Sequence, residues 1–159
     1  YYAAKDPVPL AGEKRELPAV QMLPVTEATP VFRDFHISNI VCRGAAKAVF
    51  IRGIPEMNVS NITMENMVIR SRKGIECIEG TDILFKNVHL EPADTDPVVA
   101  IQNANNIRFD NLVYPQAKLL FSVNGDRSDK IIISHTNKSG AEKTVRFNFG
   151  AKESSLQFK

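Results

Sequence analysis

The sequence predicts an all-β repeat protein, a β-solenoid, on three observations. A seven-residue strand pattern occurs five times, a second strand pattern follows each copy with nearly the same period, and helix signals are almost absent. Repeats with a period of about 20–50 residues are typical of solenoids and related repeat folds. The alternation of apolar and polar residues has period 2 rather than 3.6, so each repeat is a strand. We therefore expect about five coils.

The first strand series begins with Asp34–Ile40 (DFHISNI). Later copies are Asn61–Met67, Asp82–Val88, Asn106–Leu112 and the more divergent Lys130–Thr136. The sixth position holds Asn39, Asn66, Asn87, Asn111 and His135, at separations of 27, 21, 24 and 24 residues. Asn at one corner of successive coils can stack its amides, and it tolerates left-handed φ better than most residues. We predict a structural ladder of the four asparagines, ended by His135.

The second strand series comprises Ala48–Gly53, Ile75–Gly80, Val98–Asn103, Leu120–Gly125 and Val145–Phe149. Aligned on their last inward candidate, the copies place Ile51, Ile78, Ile101, Val123 and Phe147 in one inward column, at separations of 27, 23, 22 and 24 residues. Coils stacked in this way pair each strand with its counterpart in the next coil. The sheets are then parallel and enclose an apolar core. Glycines that follow these strands mark turns where positive φ is needed.

The N-terminal part of the chain reads differently. Five prolines punctuate residues 5–30, which excludes a regular helix there. The segment is either an extended strap on the solenoid, which its apolar residues favour, or a disordered linker. We divide the chain into residues 1–30, a strap together with the tail of a preceding coil, and residues 31–159, the coils and a C-terminal cap.

Composition excludes several classes of function. The net charge of +2 is too small for a typical nucleic-acid-binding protein. No apolar run has the length of a membrane helix, and no signal peptide is visible. We expect no nucleic-acid partner, no membrane contact, no metal and no cofactor. Cys42 and Cys77 are expected to be buried free thiols rather than a disulfide, because two cysteines do not make a disulfide framework.

Several stretches resemble one known family. Thr29–Met67, Lys73–Leu90 and Leu119–Ser128 are similar to the C-terminal part of bacterial glycoside hydrolases of family 28, the polygalacturonase-like enzymes that degrade pectin. The similarity extends over essentially the whole chain. It implies a right-handed parallel β-helix of the pectin-lyase-like type. It also implies that Tyr1-Tyr2 is the tail of a strand from a preceding coil.

The catalytic motifs of that family are missing here. Its members carry an Asn-Thr-Asp motif, an Asp-Asp pair, a His-Gly motif and an Arg-Ile-Lys motif, and none of these occurs in this sequence. Inverting hydrolysis needs one carboxylic acid to protonate the leaving oxygen and another carboxylate to activate water. The nearest pair, Asp94 and Asp96, lies between prolines and is better explained as an exposed acidic loop. We therefore assign no catalytic residue, and whether the chain alone is an enzyme stays open.

The resemblance also suggests a candidate binding surface. It implies that the second strand series continues the sheet that bears the catalytic cleft. Alternation along these strands places one polar side chain per coil on the outer face: Arg52, Glu79, Gln102, Asn124 and Asn148. Such a row is a candidate track for a sugar chain, the alternative being an ordinary solvated sheet face. Basic residues are also concentrated in the first two coils, where they could attract anionic galacturonate or simply occupy solvated turns.

The expected function follows from the resemblance. The chain would be the C-terminal, non-catalytic portion of a polygalacturonase-like enzyme, secreted or periplasmic, that contacts pectic polysaccharide (galacturonan) as part of the intact protein. The alternative is a stand-alone β-helical module that binds polysaccharide or a protein partner. A solenoid that ends on an open coil exposes unpaired strand edges, so we also expect self-association through the first coil.

Overall fold

The fold was described from a computed structural model, which defines residues 22–159. Its nine strands are β1 Arg33–Arg52, β2 Val59–Ile78, β3 Gly80–Pro92, β4 Val99–Gln102, β5 Asn105–Val113, β6 Ala117–Asn124, β7 Ile131–Ser134, β8 Ala141–Asn148 and β9 Leu156–Phe158. Over the described range the only helix is one 3₁₀ turn, Glu153–Ser155. The prediction of an all-β fold is confirmed.

Every named strand pair is parallel, and the order of the strands is that of a solenoid. In the sheet, the first half of β2 pairs with β3, and β5, β7 and β9 come next in that order. The second half of β2 pairs with β4, and β6 and β8 come next. On its other edge, β2 pairs with β1 along both halves. We divide the chain into coil 1 (residues 31–58), coil 2 (59–79), coil 3 (80–103), coil 4 (104–128) and coil 5 (129–159). The protein is a parallel β-helix of about five coils.

The core is a stack of apolar layers, one per coil. In the second strand series Ile101 is in register with Cys77 above and Val123 below. In the first series, Phe85 and Phe109 stack with ring centroids 4.8 Å apart. Ile101, Phe85 and Phe109 are almost fully buried. Burial of large side chains stabilises these layers, because residues 22–159 contain no α-helix that could cover the sheets.

Residues with left-handed backbone form the corners of the coils. One corner comprises Asn39, Asn66, Asn87, Asn111 and His135, with φ between 52° and 61°. A second corner lies five residues earlier in each coil: Asp34, Asn61, Asp82, Asn106 and Lys130. Asn and Asp adopt this conformation with less strain than other non-glycine residues. The polar residue that opens each repeat is thus a corner residue.

The predictions for the N-terminal segment lie mostly outside the described residues. Residues 22–30 belong to no strand, and a turn closes from the Thr29 N–H to the Thr26 carbonyl. The remainder of the expected strap and the strand tail at Tyr1-Tyr2 fall in residues 1–21. Within residues 22–159, no helix has the length and apolarity needed to cross a membrane. Cys42 and Cys77 are both free thiols; Cys77 is buried as expected, whereas Cys42 is only half-buried.

Candidate functional site

The predicted polar row on the second strand series needs a correction in coil 2. Ile51 is in register with Cys77, and Arg52 with Ile78. Ile78 therefore occupies the row between Arg52 and Gln102, while Cys77 occupies the inward column. Placing Ile78 in the column and Glu79 in the row was wrong by one residue. A slip of one residue exchanges the two faces of a strand, and two adjacent apolar residues left the alternation ambiguous at this point.

The rest of the row lies where it was predicted but is not open to solvent. Gln102 and Asn124 are each only 2% exposed. Asn124 accepts a hydrogen bond on Oδ1 from Asn148 Nδ2 (3.0 Å) and donates from Nδ2 to the Ile101 carbonyl (3.2 Å). These buried amides satisfy one another, as buried polar groups must. Arg52, at the coil 1 end, is half-buried. The row is thus largely an internal hydrogen-bonded series and not an open track.

Glu79 lies instead at a third corner of the helix, directly after the second strand of coil 2. Its backbone is left-handed (φ 50°), as are those of Asn103 and Gly125 at the equivalent place in coils 3 and 4. Glu79 Oε1 accepts hydrogen bonds from Arg127 Nη2 (2.5 Å) and Asn103 Nδ2 (3.1 Å). A buried glutamate in a left-handed conformation is uncommon. The corner is therefore held by an ion pair between coil 2 and coil 4.

Burial dominates the electrostatics of this corner. Desolvation raises the pKa of the Glu79 carboxyl above its ordinary value, although the hydrogen bond and the charge of Arg127 act in the opposite direction and Glu56 adds a further small rise. Glu79 Oε2 and Asn103 Oδ1 are buried and have no hydrogen-bond partner among the described residues. Burial, with a smaller contribution from Glu79, also raises the pKa of the Cys77 thiol to about 12. At neutral pH this thiol is unreactive.

The asparagines of the first series form hydrogen bonds from coil to coil. Asn87 Nδ2 donates to Asn66 Oδ1 (3.1 Å), and Asn111 Nδ2 donates to Asn87 Oδ1 (3.0 Å). His135 occupies the next position and instead pairs its Nδ1 with Asp110 Oδ1 at 2.7 Å. Asn39, at the other end, donates to Ser38 Oγ over 3.4 Å. The three central asparagines are therefore a structural ladder.

A second ladder, which the sequence analysis did not identify, occupies the corner five residues earlier. Asn61 Nδ2 donates to Asp34 Oδ1, and Asn106 Nδ2 donates to Asp82 Oδ1, each over 2.6 Å. The signal was the Asp or Asn that opens four of the five repeats. Here too each amide donates toward the preceding coil. The hydrogen bonds of both ladders thus point the same way along the stack of coils.

Several carboxylates outside these ladders are paired with basic side chains. Asp96 in the exposed acidic loop bonds to Arg146 Nη2 (3.1 Å), and Glu91 bonds to Arg70 Nε (3.1 Å). The buried Glu76 bonds to Lys47. Within residues 22–159, no group of three or more His, Cys, Asp or Glu side chains could hold a metal ion. Part of the basic charge in coils 1 and 2 is therefore neutralised within the chain.

Coil 1 carries most of the exposed large apolar side chains between residues 31 and 159, and we call its open end the coil 1 face. It contains a concavity of about 500 Å³ that is lined mainly by apolar side chains of coils 1 and 2, among them Phe32, Phe35, Phe50, Ile54 and Met57. Phe32 and Phe35 stack with ring centroids 4.3 Å apart. Large exposed apolar patches mark interaction surfaces. This face, rather than the polar row, is the most accessible candidate for binding.

No family model, curated protein or solved structure matches this chain. The expected similarity to family 28 stays a prediction.

Proposed function

We propose that this chain is the C-terminal, non-catalytic portion of a polygalacturonase-like glycoside hydrolase, in which it extends and stabilises the solenoid. One observation carries the proposal. The three stretches that resemble family 28 fold as consecutive coils of a parallel β-helix, which is the fold that the resemblance implies. A fold alone does not define an activity, so the proposal rests on the fold and the resemblance together.

The arrangement of carboxylates supports a non-catalytic role. Glycoside hydrolysis needs two carboxyl groups that face each other across a cleft with room for the sugar. Asp94 and Asp96 share one exposed loop, where the Asp96 N–H donates to Asp94 Oδ1 (3.2 Å) and the Asp96 carboxylate pairs with Arg146. Glu79 is buried against Arg127. In this proposal the catalytic groups belong to another part of the enzyme.

The substrate in this proposal is pectic polysaccharide, an anionic galacturonan, and the enzyme is secreted or periplasmic. Burial of Gln102 and Asn124 removes them from direct contact with a polymer in this conformation. Sugar contact on the outer face is then expected near Arg52, which is half-buried, as is Asn148 at the other end of the row. A positive side chain there favours binding of an anionic polymer.

Release of reducing sugar from polygalacturonate tests the proposal. The chain of 159 residues should show no turnover over a long incubation, whereas the intact natural protein, defined by its mass, should hydrolyse the polymer. Turnover by the purified chain that is lost in a variant with both Asp94→Asn and Asp96→Asn would overturn the non-catalytic role. An intact protein without activity on any pectic polymer would overturn the family assignment.

The alternative is a stand-alone module that binds a polysaccharide or protein. The observation that favours it is the apolar coil 1 face. Retention on pectic polysaccharide distinguishes a polysaccharide ligand from a protein ligand. If the ligand is a polysaccharide, Arg52→Ala should weaken this retention. Asn111→Ala, in the first strand series, is the control and should change stability alone. Retention that is insensitive to Arg52→Ala would exclude the polar row as the binding surface.

A further inference from the structure

The edge of β1 at the coil 1 face lacks a strand partner among residues 22–159. β1 is 20 residues long and pairs with β2 through both of its halves. The other edge of β1 therefore carries backbone N–H and C=O groups without a strand beside them in this part of the chain. Such edges accept an additional strand readily, and natural β proteins usually cover them.

Side chains on this face are exposed although their counterparts one coil later are buried. Phe35 is 40% exposed, whereas Ile62, its partner in register, is 3% exposed. Ile40 is 36% exposed, whereas its partner Met67 is 5% exposed. The two layers have the same apolar chemistry and the same place in the coil. They differ because coil 1 covers coil 2 while no described residue covers coil 1 in the same way.

The two amide ladders show how an additional coil on the coil 1 face would have to be oriented. Wherever a ladder bond joins two coils, the Nδ2 of the later coil donates to an oxygen of the earlier coil, as in Asn61 to Asp34 and Asn87 to Asn66. At Asn39 the Nδ2 group bonds only weakly within its own strand, to Ser38 Oγ at 3.4 Å. It thus lacks the coil-to-coil acceptor that Asn66 gives to Asn87. An oxygen at the corresponding corner of another coil would supply one.

We propose that the coil 1 face is a docking surface for a further β-coil, which adds parallel to β1 and carries Asn or Asp at the corner next to Asn39. The docked coil continues the interface already formed between β1 and β2. It buries Phe35 and Ile40 and accepts a hydrogen bond from Asn39. The proposal rests on the role proposed above, that the chain extends a longer solenoid, but it does not depend on pectin as the substrate.

A second copy of this chain fits the face less well. Two copies that meet through their coil 1 faces are related by a two-fold axis, which sets the two β1 strands antiparallel. An antiparallel arrangement does not continue the ladder, in which the Nδ2 of one coil donates to the same corner of the coil before it in a parallel stack. The opposite end of the solenoid is not an apolar surface, since no large hydrophobic residue after Val113 is exposed. Copies of the chain alone should therefore associate without forming a defined dimer.

A graft of one coil onto the full chain tests the proposal. A copy of residues 81–104 is inserted between Phe32 and Arg33. Arg33 is in register with Asn105 through Ser60 and Thr81. The new junction therefore reproduces the natural step from Ala104 to Asn105. The inserted copy carries Asp82→Asn, so that an amide and not a second carboxylate lies next to Asp34, and it places its own Asn87 next to Asn39.

The unmodified chain should scatter more light as its concentration rises, whereas the grafted chain should remain monomeric and unfold at a higher temperature. A matched graft with Asn87→Gly in the inserted copy only keeps the left-handed corner but removes the acceptor for Asn39. It should gain less thermal stability than the first graft. Equal gains would overturn the role of the ladder.

Two further outcomes would overturn docking of a parallel coil. One is a grafted chain that is no more stable than the original. The other is an original chain that sediments as a single defined species, monomer or dimer, with its β1 edge amides protected from hydrogen exchange. A protected monomer would mean that the chain covers its own face, and a protected dimer that a second copy does so.

Discussion

Asn111 donates a hydrogen bond from Nδ2 to Oδ1 of Asn87, 24 residues earlier, over 3.0 Å. Asn87 in turn donates to Asn66. Asn87 thus joins three coils through one exposed side chain, while its own backbone adopts a left-handed conformation with φ 52°. Asn combines a donor, an acceptor and tolerance of this conformation, which explains why the same residue type recurs at this corner.

Asn87→Ala should lower the free energy of unfolding by about 1–3 kcal/mol, because it removes two hydrogen bonds and places an alanine at positive φ. Asn87→Gly is the matched control, since glycine removes the hydrogen bonds but accepts this φ without strain. It should cost less than alanine. Urea denaturation of the unmodified protein and the two variants separates the loss of the hydrogen bonds from the strain of alanine at positive φ. Full stability of Asn87→Ala would mean that the ladder contributes nothing to the free energy of unfolding.

Ile101→Asp should prevent folding or cause aggregation. Ile101 is fully buried between Cys77 and Val123, and an unpaired charge there has no compensating partner. Ile101→Val is the control and should cost only about 0.5–1.5 kcal/mol. Circular dichroism of soluble protein distinguishes the two variants. A β-rich, monomeric Ile101→Asp variant would contradict the position of Ile101 in the core.

Glu79→Gln should remove a pH dependence of stability. The pKa of Glu79 is raised in the folded protein above the ordinary value of 4.5, so the native state binds the proton more tightly than the unfolded chain. The contribution of Glu79 is then largest below the ordinary pKa and is lost as the pH rises through the raised pKa. Relative to Glu79→Gln, the unmodified protein should lose stability across this window and remain constant above it.

Arg127→Gln provides the control for this pH dependence. Arg127 lowers the pKa of Glu79 by its hydrogen bond and its charge, so its removal should extend the sensitive window toward higher pH. Urea denaturation over the acid-to-neutral range gives the free energy of unfolding for each variant. Parallel curves for the unmodified protein and Glu79→Gln would show that Glu79 is not perturbed by folding.

Gly125→Ala should be strongly destabilising for two separable reasons. Gly125 has φ 85°, and a Cβ there would lie 2.0 Å from Oδ1 of Asn103. Gly44→Ala isolates the first reason, because Gly44 has φ 91° but no neighbouring heavy atom within 4 Å of the added Cβ. We expect about 1–2 kcal/mol for Gly44→Ala and a clearly larger loss for Gly125→Ala. Equal thermal shifts would mean that Asn103 moves aside easily.

The periodicity of the sequence was sufficient to predict the parallel β-helix, because strands that repeat with the coil length can pair only with their counterparts. It also predicted the left-handed corner at Asn39 and its equivalents. It was not sufficient at Cys77 and Ile78, since both are apolar and either satisfies the inward column. Burial of Gln102 was missed because polarity alone does not show whether a side chain reaches solvent.

The contact between Arg127 and Glu79 could not be predicted from sequence for a different reason. The two residues are 48 positions apart and belong to coils that are not neighbours. The period of the repeat describes contacts between adjacent coils only. The reach of Arg127 depends on the turn after β6, whose conformation the repeat does not specify.

This contact also determines how the solenoid can come apart. A stack whose units touch only their nearest neighbours unzips from an end, one unit at a time. Arg127 and Glu79 fasten coil 4 to coil 2 across coil 3, so these three coils release together. Arg146 and Asp96 fasten coil 5 to coil 3 across coil 4 in the same way. Under a pulling force or during partial melting, coils 2 to 5 should therefore separate as one block and not one coil at a time.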